Sequence, residues 1–170
     1  IRPSSEIVTK SYDLKDFTEI EVESAFQVYF TFSETEDKVE IEANSNLHDQ
    51  LTVEKIGNRL MLHFKNGVIL DTKDNTVVNA YITTSQVDVF EGSGASAFLL
   101  QNNLDADQIQ IDLSGASTFK GSLSADKIKS NLDGASKMDI TGRAKTLQTN
   151  LSGASIVEDY DFTCDHVIAD

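Results

Sequence analysis

The chain has 170 residues, which suits one domain or two small ones in close contact, and 39% of them are hydrophobic, enough to build a core. Its formal net charge of −14 repels phosphate backbones and anionic headgroups, so nucleic acid and membrane surfaces are disfavoured as partners. No apolar run approaches membrane-spanning length, which argues against membrane insertion of the mature domain. The single cysteine, Cys164, excludes an internal disulfide.

The first half of the chain is predicted to form β-strands. Ile20 and Val22 define one face of a first strand, and the apolar residues of 26–32 alternate along a second. The NSNLHDQ segment (44–50) is the best candidate for a single helical turn or tight loop. Four further runs alternate with a period of two and contain many β-branched and aromatic residues, which predicts further strands. They are KVEIEA (38–43), QLTVEK (50–55), NRLMLHF (58–64) and VVNAYITT (77–84).

A tetrad of small residues occurs four times in the second half. Copies begin at positions 93, 114, 133 and 152, so they are 21, 19 and 19 residues apart. The third copy begins with Asp instead of Ser. The sixteen residues are Ser93, Gly94, Ala95, Ser96, Ser114, Gly115, Ala116, Ser117, Asp133, Gly134, Ala135, Ser136, Ser152, Gly153, Ala154 and Ser155.

Apolar residues repeat with the same period and predict two inward-facing columns. The columns are Phe98, Phe119, Met138 and Val157, and Ile109, Ile128, Leu147 and Val167. Self-similarity at about 20 residues is typical of stacked repeats. We therefore predict an all-β fold in which residues 86–170 form a right-handed parallel β-helix, a solenoid of about 20 residues per coil. Residues 1–85 are predicted to be an N-terminal β-strand region, continuous with the solenoid or packed on it.

The tetrads are interpreted as structural corners of the repeat. Glycine takes a positive φ without penalty, alanine is small enough to stack where a corner narrows, and serine can hydrogen-bond local backbone groups. This structural interpretation is favoured over contact with a ligand or a substrate.

At these motifs the sequence resembles the "putative auto-transporter adhesin, head GIN domain" family, a domain of unknown function in exported bacterial proteins, especially from Bacteroidetes. The resemblance rests on Phe17, Ile20 and Val22, on VEIEANSNLHDQLTVEKIGNRLML (39–62), on VVNAYIT (77–83) and on the repeated L-S-G-A-S. It covers most of the chain and implies an adhesin at the periplasm or cell surface of a bacterium. It brings no catalytic residues with it.

Catalytic and metal-binding patterns are weak. No Gly-x-Ser-x-Gly elbow occurs, and His48, His63 and His166 lack the spacing of a metal site. His63 is expected to point outward from its strand, and Cys164 is expected to be a small buried apolar residue. We expect no catalytic residue, no metal and no cofactor.

One polar row follows the repeat period: Asp112, Asn131, Asn150 and Asp170. Because neutral Asn occupies the two middle positions, an outward hydrogen-bonding ladder is favoured over a calcium-binding row. The Gly-Gly-x-Gly-x-Asp pattern of calcium β-rolls is also missing.

The patterns predict a non-catalytic binding or structural module that displays a surface to a carbohydrate, a protein or another copy of itself, and the resemblance implies that it is exported or at the cell surface. The alternative is a polysaccharide-active enzyme on the same scaffold. Because the chain starts at Ile1 rather than Met, we expect that a preceding segment was removed, an export signal being one explanation. A fifth tetrad would begin just beyond Asp170, so we expect natural continuation or cover by another chain at this end.

Overall fold

The computed structural model describes residues 1–71 and 75–170, which form fourteen strands and one 3-10 helix. The 3-10 helix spans Ser45–Gln50, where the sequence predicts a single helical turn or a tight loop. The strands are β1 (Ile7–Tyr12), β2 (Glu19–Glu23), β3 (Gln27–Phe32), β4 (Lys38–Asn44), β5 (Leu51–Ile56), β6 (Arg59–Phe64), β7 (Val78–Thr84), β8 (Val89–Ser93), β9 (Ala97–Leu100), β10 (Leu104–Leu113), β11 (Thr118–Leu132), β12 (Lys137–Leu151), β13 (Ile156–Glu158) and β14 (Phe162–Ala169).

The fourteen strands of the described residues belong to one mixed sheet. The order of hydrogen-bonded strands is β1-β4-β7-β3-β9-β11-β10-β8-β2-β6-β5, and β12 pairs with β11, β13 and β14. The sheet curls into a nearly closed, barrel-like shape around a single cluster of buried apolar side chains. The predicted all-β class is therefore correct.

The predicted right-handed parallel β-helix is wrong. Three antiparallel pairs, β1–β4, β4–β7 and β5–β6, are built into the same sheet as the parallel pairs. Strands of the first half also lie beside strands of the second half, since β2 pairs with β8 and β3 with β9. The physical reason is that alternation with a period of two is the same in parallel and antiparallel strands, so it carries no strand direction.

The 19-residue sequence period corresponds to the register of the parallel pairs among β10, β11 and β12. Ile109 lies opposite Ile128, and Ile128 lies opposite Leu147. Phe119 likewise lies opposite Met138. Equivalent residues of successive copies therefore stand beside one another on adjacent strands, although the whole chain is not a solenoid.

The two apolar columns are buried except at their last members, which lie on β13 and β14. Phe98, Phe119 and Met138 are buried and Val157 is half-buried. Ile109, Ile128 and Leu147 are also buried. The prediction of an inward-facing Val167 is wrong, because this side chain is 61% exposed on β14, which pairs with β12 alone.

Aromatic side chains contact one another edge-on within the core. The Phe90 ring meets Phe98 and Phe119 edge-on, with ring centroids 5.7 Å and 5.1 Å apart. A Cβ at Gly92 would lie 2.7 Å from the Phe98 ring, so a glycine at this position leaves room for that ring. Edge-on packing of this kind stabilises cores beyond the area that it buries.

None of the helices in residues 1–71 and 75–170 is long and apolar enough to cross a lipid bilayer.

Candidate functional site

A groove of about 470 Å³ crosses five neighbouring parallel strands, β2, β8, β10, β11 and β12. We call it the ladder groove. Three consecutive residues at the C-terminal end of each strand, or directly after it, line the groove, and they stand in register and form three rows. The carboxyl–amide row is Glu21, Glu91, Asp112, Asn131 and Asn150; the middle row is Val22, Gly92, Leu113, Leu132 and Leu151; the corner row is Glu23, Ser93, Ser114, Asp133 and Ser152.

Hydrogen bonds order the carboxyl–amide row. Asn131 Nδ2 donates to Asp112 Oδ1 over 2.5 Å, and Asn150 Nδ2 donates to Asn131 Oδ1 over 2.7 Å. Gln110 Nε2 donates to the other Asp112 oxygen over 2.5 Å. The predicted hydrogen-bonding ladder is confirmed for these three row members. Asp170 is exposed and meets the end of β12 through its backbone, its carbonyl accepting from Leu151 N over 2.9 Å.

Arg59 of β6 ties down the acidic end of the same row. Its Nη1 donates to Glu21 Oε2 over 2.8 Å and to Glu91 Oε2 over 2.5 Å. Its Nε donates to Glu19 Oε2 over 3.1 Å. The hydrogen bond to Glu21 is the largest of the effects that raise the pKa of Arg59 above its ordinary value. One guanidinium thus holds three carboxylates that would otherwise repel one another.

The middle row forms the floor of the groove. Leu113 and Leu132 are each only 2% exposed, whereas Leu151 is 40% exposed at the β12 end. The floor therefore lies between two raised polar rows, because alternate residues of a strand point to opposite faces.

The tetrads are divided between the groove and the sheet corner. Their first residues, Ser93, Ser114, Asp133 and Ser152, form most of the corner row. The glycine and alanine of every tetrad are exposed. The last serines of the first three tetrads are buried. Each last serine donates to the carbonyl of the first residue of its own tetrad, over 2.6 Å at Ser96 and 2.8 Å at Ser117, Ser136 and Ser155.

Asp133 gives its corner a charge that the other three lack. Its Oδ1 accepts from Ser152 Oγ and from Gly134 N, both over 2.7 Å. These two hydrogen bonds, that of Ser152 first, lower the pKa of the Asp133 carboxyl from its ordinary value. The carboxylate thereby links the two neighbouring members of the corner row that follow β11 and β12.

Stacking makes glycine necessary at the corners. Gly115 has φ +72, and a Cβ there would lie 2.5 Å from the Gly94 carbonyl oxygen. The same close approach recurs between Gly134 and Gly115. The carbonyl of each glycine accepts from the alanine of the next corner, as in Ala116 N to Gly94 O over 2.8 Å.

Sequence reasoning missed a fifth corner and the acidic end of the groove. Glu23 lies opposite Ser93, so Ser24 occupies the place of Gly94, and its φ of 74 is that of the tetrad glycines. Phe26 replaces the buried serine. The sequence Glu23-Ser24-Ala25-Phe26 keeps only the alanine of the tetrad, which is too little to be recognised without the register.

The histidines lie apart from the ladder groove. His48 is buried, with Nε2 2.7 Å from the Val8 carbonyl. His63 is half-buried on the same face of β6 as Met61, and His166 is exposed. In the part of the chain that the structure describes, no three His, Cys, Asp or Glu side chains are grouped to hold a metal ion. Cys164 is half-buried rather than buried, because β14 is covered on one side only.

The chain belongs to the family described as "putative auto-transporter adhesin, head GIN domain", whose model matches residues 16–170. No curated protein matches the sequence. Among solved structures, a putative adhesin from Parabacteroides distasonis has a TM-score of 0.75 at 17% identity, over 99% of this chain and 79% of that one. A putative lipid binding protein from the same species has a TM-score of 0.75 at 16% identity, over 99% and 80% of the two chains. A putative adhesin from Bacteroides fragilis has a TM-score of 0.62 at 15% identity, over 99% of each chain. At these identities the similarity shows the fold alone.

Proposed function

We propose that this member of the head GIN family is a non-catalytic, exported binding module that engages its ligand through the ladder groove. The observation that carries the proposal is the groove itself, in which three ordered rows repeat in register across five strands. Family membership supports the adhesin-like role and the location at the periplasm or cell surface.

The chemistry of the rows favours a ligand rich in hydroxyl or amide groups, such as a carbohydrate or a protein backbone. An Asn side chain has two N–H donors and two acceptor sites, and the ladder uses one of each at Asn131. Serine hydroxyls of the opposite row add further donors and acceptors. Aliphatic surface is offered by Leu151, which is 40% exposed at the β12 end, and hardly at all by Leu113 and Leu132.

The alternative of a polysaccharide-active enzyme has one observation in its favour. Glu21, Glu91 and Asp112 stand in one row, with Arg59 beside the first two. Against it, Arg59 holds Glu21 and Glu91, and two amides hold Asp112. A general acid and base need carboxyl groups free to exchange a proton with the substrate.

Two assays on the purified protein test the proposal together. A glycan array combined with binding to immobilised host-matrix proteins should yield a ligand whose binding weakens in Asn131→Ala and not in Gln148→Ala. Gln148 is a matched control, because it is an amide on the neighbouring strand β12 and lies outside the groove. A reducing-sugar assay should detect no product. Release of reducing ends that is lost in Asp112→Asn would overturn the non-catalytic role.

A further inference from the structure

Building on the proposed function, we propose that the ligand of the ladder groove is a linear, uncharged polysaccharide that lies across the strands, parallel to the three rows. Three properties of the groove lead to this class of ligand: the spacing of equivalent residues along each row, the hydrogen-bonding capacity of the rows and their charge.

The spacing comes from the in-register parallel pairing. Asp112 lies opposite Asn131, and Asn131 lies opposite Asn150, with no offset. Parallel strands are about 4.8 Å apart, so equivalent side chains repeat along the groove at about that interval. This interval is close to the length of one pyranose unit in an extended chain. A linear glycan can therefore present one sugar to each strand, up to five in succession.

The hydrogen-bonding capacity is preorganised. The ladder fixes the orientation of Asn131 and Asn150 through one N–H each, and the second N–H of each amide is left for a ligand. Sugar hydroxyls both donate and accept, so they match amide, carboxylate and serine groups in the facing rows. Because the rows are already ordered, binding costs little side-chain entropy, and each further sugar adds contacts at small cost.

The charge selects against acidic glycans. Five lining residues are carboxylates: Glu21, Glu23, Glu91, Asp112 and Asp133. Among the described residues that line the groove none is basic, and Arg59 beside it already binds three carboxylates. The chain as a whole carries −14. A uronic acid or sulfated polymer would meet repulsion along the whole groove, which leaves a neutral chain.

Calorimetric titration with oligosaccharides of defined length tests this inference. The probes are neutral β-1,4-linked gluco-, manno-, xylo- and N-acetylchito-oligosaccharides of two to six units, with hexagalacturonate as the anionic control. At least one neutral series should bind with a Kd that falls by about tenfold or more from dimer to hexamer, while hexagalacturonate does not bind. The gain in affinity with chain length should level off at about five sugar units, because five strands line the groove.

Variants assign the binding to the groove. Asn131→Ala should raise the Kd for the hexasaccharide by about tenfold, and Gln148→Ala should leave that Kd unchanged. If Asn131→Ala does not fold, Asn150→Ala replaces it, because Asn150 makes only one hydrogen bond of the ladder. Failure of all four series to bind, or equal Kd values for dimer and hexamer, would overturn the linear-glycan inference.

The two proposals fail in different ways. If no neutral series binds but Asn131→Ala abolishes binding of an array ligand or a matrix protein, the groove is still the binding site and only the linear-glycan inference is wrong. If every ligand binds the Asn131→Ala and Asn150→Ala variants with the same affinity as the unaltered protein, both proposals are wrong.

Discussion

Gly115 and Gly67 both have a positive φ, +72 and +82, but their surroundings differ. Nothing lies within 4 Å of a Cβ at Gly67, whereas a Cβ at Gly115 would lie 2.5 Å from the Gly94 oxygen. Gly67→Ala should therefore cost only the backbone penalty of about 1–2 kcal/mol. Gly115→Ala should cost at least about 3 kcal/mol, because the stacked corner must also move apart. Urea denaturation measures both losses.

Ser114→Ala supplies the control at the same corner and should cost far less than Gly115→Ala, since Asp133 shows that this position tolerates change. Equal losses for Gly67→Ala and Gly115→Ala would show that the corner is not tightly stacked. A larger loss for Ser114→Ala than for Gly115→Ala would assign the serine a role that corner geometry does not explain.

At four of the five corners the residue with a positive φ is the tetrad glycine, whereas at the fifth it is Ser24, with φ 74. A residue with a Cβ is strained in this region, and glycine is not. Ser24→Gly should therefore raise the free energy of unfolding by up to about 1 kcal/mol, and Ser24→Ala should not. Thermal unfolding of the two variants distinguishes them. Destabilisation by Ser24→Gly would mean that the hydroxyl, rather than the backbone strain, decides stability there.

At the scale of the elements, the apolar columns hold the parallel strands together. Phe119 of β11 is buried and packs edge-on against Phe90 of β8. Phe119→Ala should cost about 3–5 kcal/mol of unfolding free energy, as truncation of a buried phenylalanine does. Ile156→Ala on the exposed face of β13 is the control and should change stability by no more than about 0.5 kcal/mol. A loss below about 1 kcal/mol at Phe119 would be inconsistent with its burial.

The elements also show what could be predicted from the sequence. Strands β2 to β7 were predicted from local alternation, because burial of one face leaves a direct trace in the order of residues. The registers of β10, β11 and β12 were predicted from the repeat period. Strand direction was not, since β4 alternates in the same way as β2 but lies antiparallel to its neighbours.

The candidate site was predicted in part. The Asp112, Asn131 and Asn150 row was identified because its members share a period. Glu91 stands two residues before the first tetrad, as Asp112 does before the second, so the sequence held a signal for it that was missed. Glu21 on β2 precedes no recognisable tetrad, so only pairing in space reveals it. Arg59 was not identified from the sequence, because its three carboxylate partners are 32 to 40 residues away along the chain.

At the scale of the whole molecule, β14 forms an open edge of the sheet. Val167 and Ile168 are exposed on it, and among the strands of the described residues β14 pairs only with β12. An unpaired edge with apolar side chains is a template for pairing with another chain. The 170-residue protein should therefore associate at high concentration, as light scattering would measure. Val167→Lys should shift it toward monomer, and Ile69→Lys, a change at an exposed isoleucine elsewhere, should not. A monomer at all concentrations would contradict this prediction.

The central claim is that the ladder groove is where the molecule meets its ligand, and side-chain amide resonances test it most directly. The amides of Asn131 and Asn150 lie in the groove, and that of Asn79 lies on β7 outside it. Titration of isotope-labelled protein with the strongest-binding oligosaccharide or array ligand should shift the Asn131 and Asn150 signals together, with one Kd, and leave Asn79 in place. Saturable binding that moves Asn79 while Asn131 and Asn150 stay unshifted would contradict the claim.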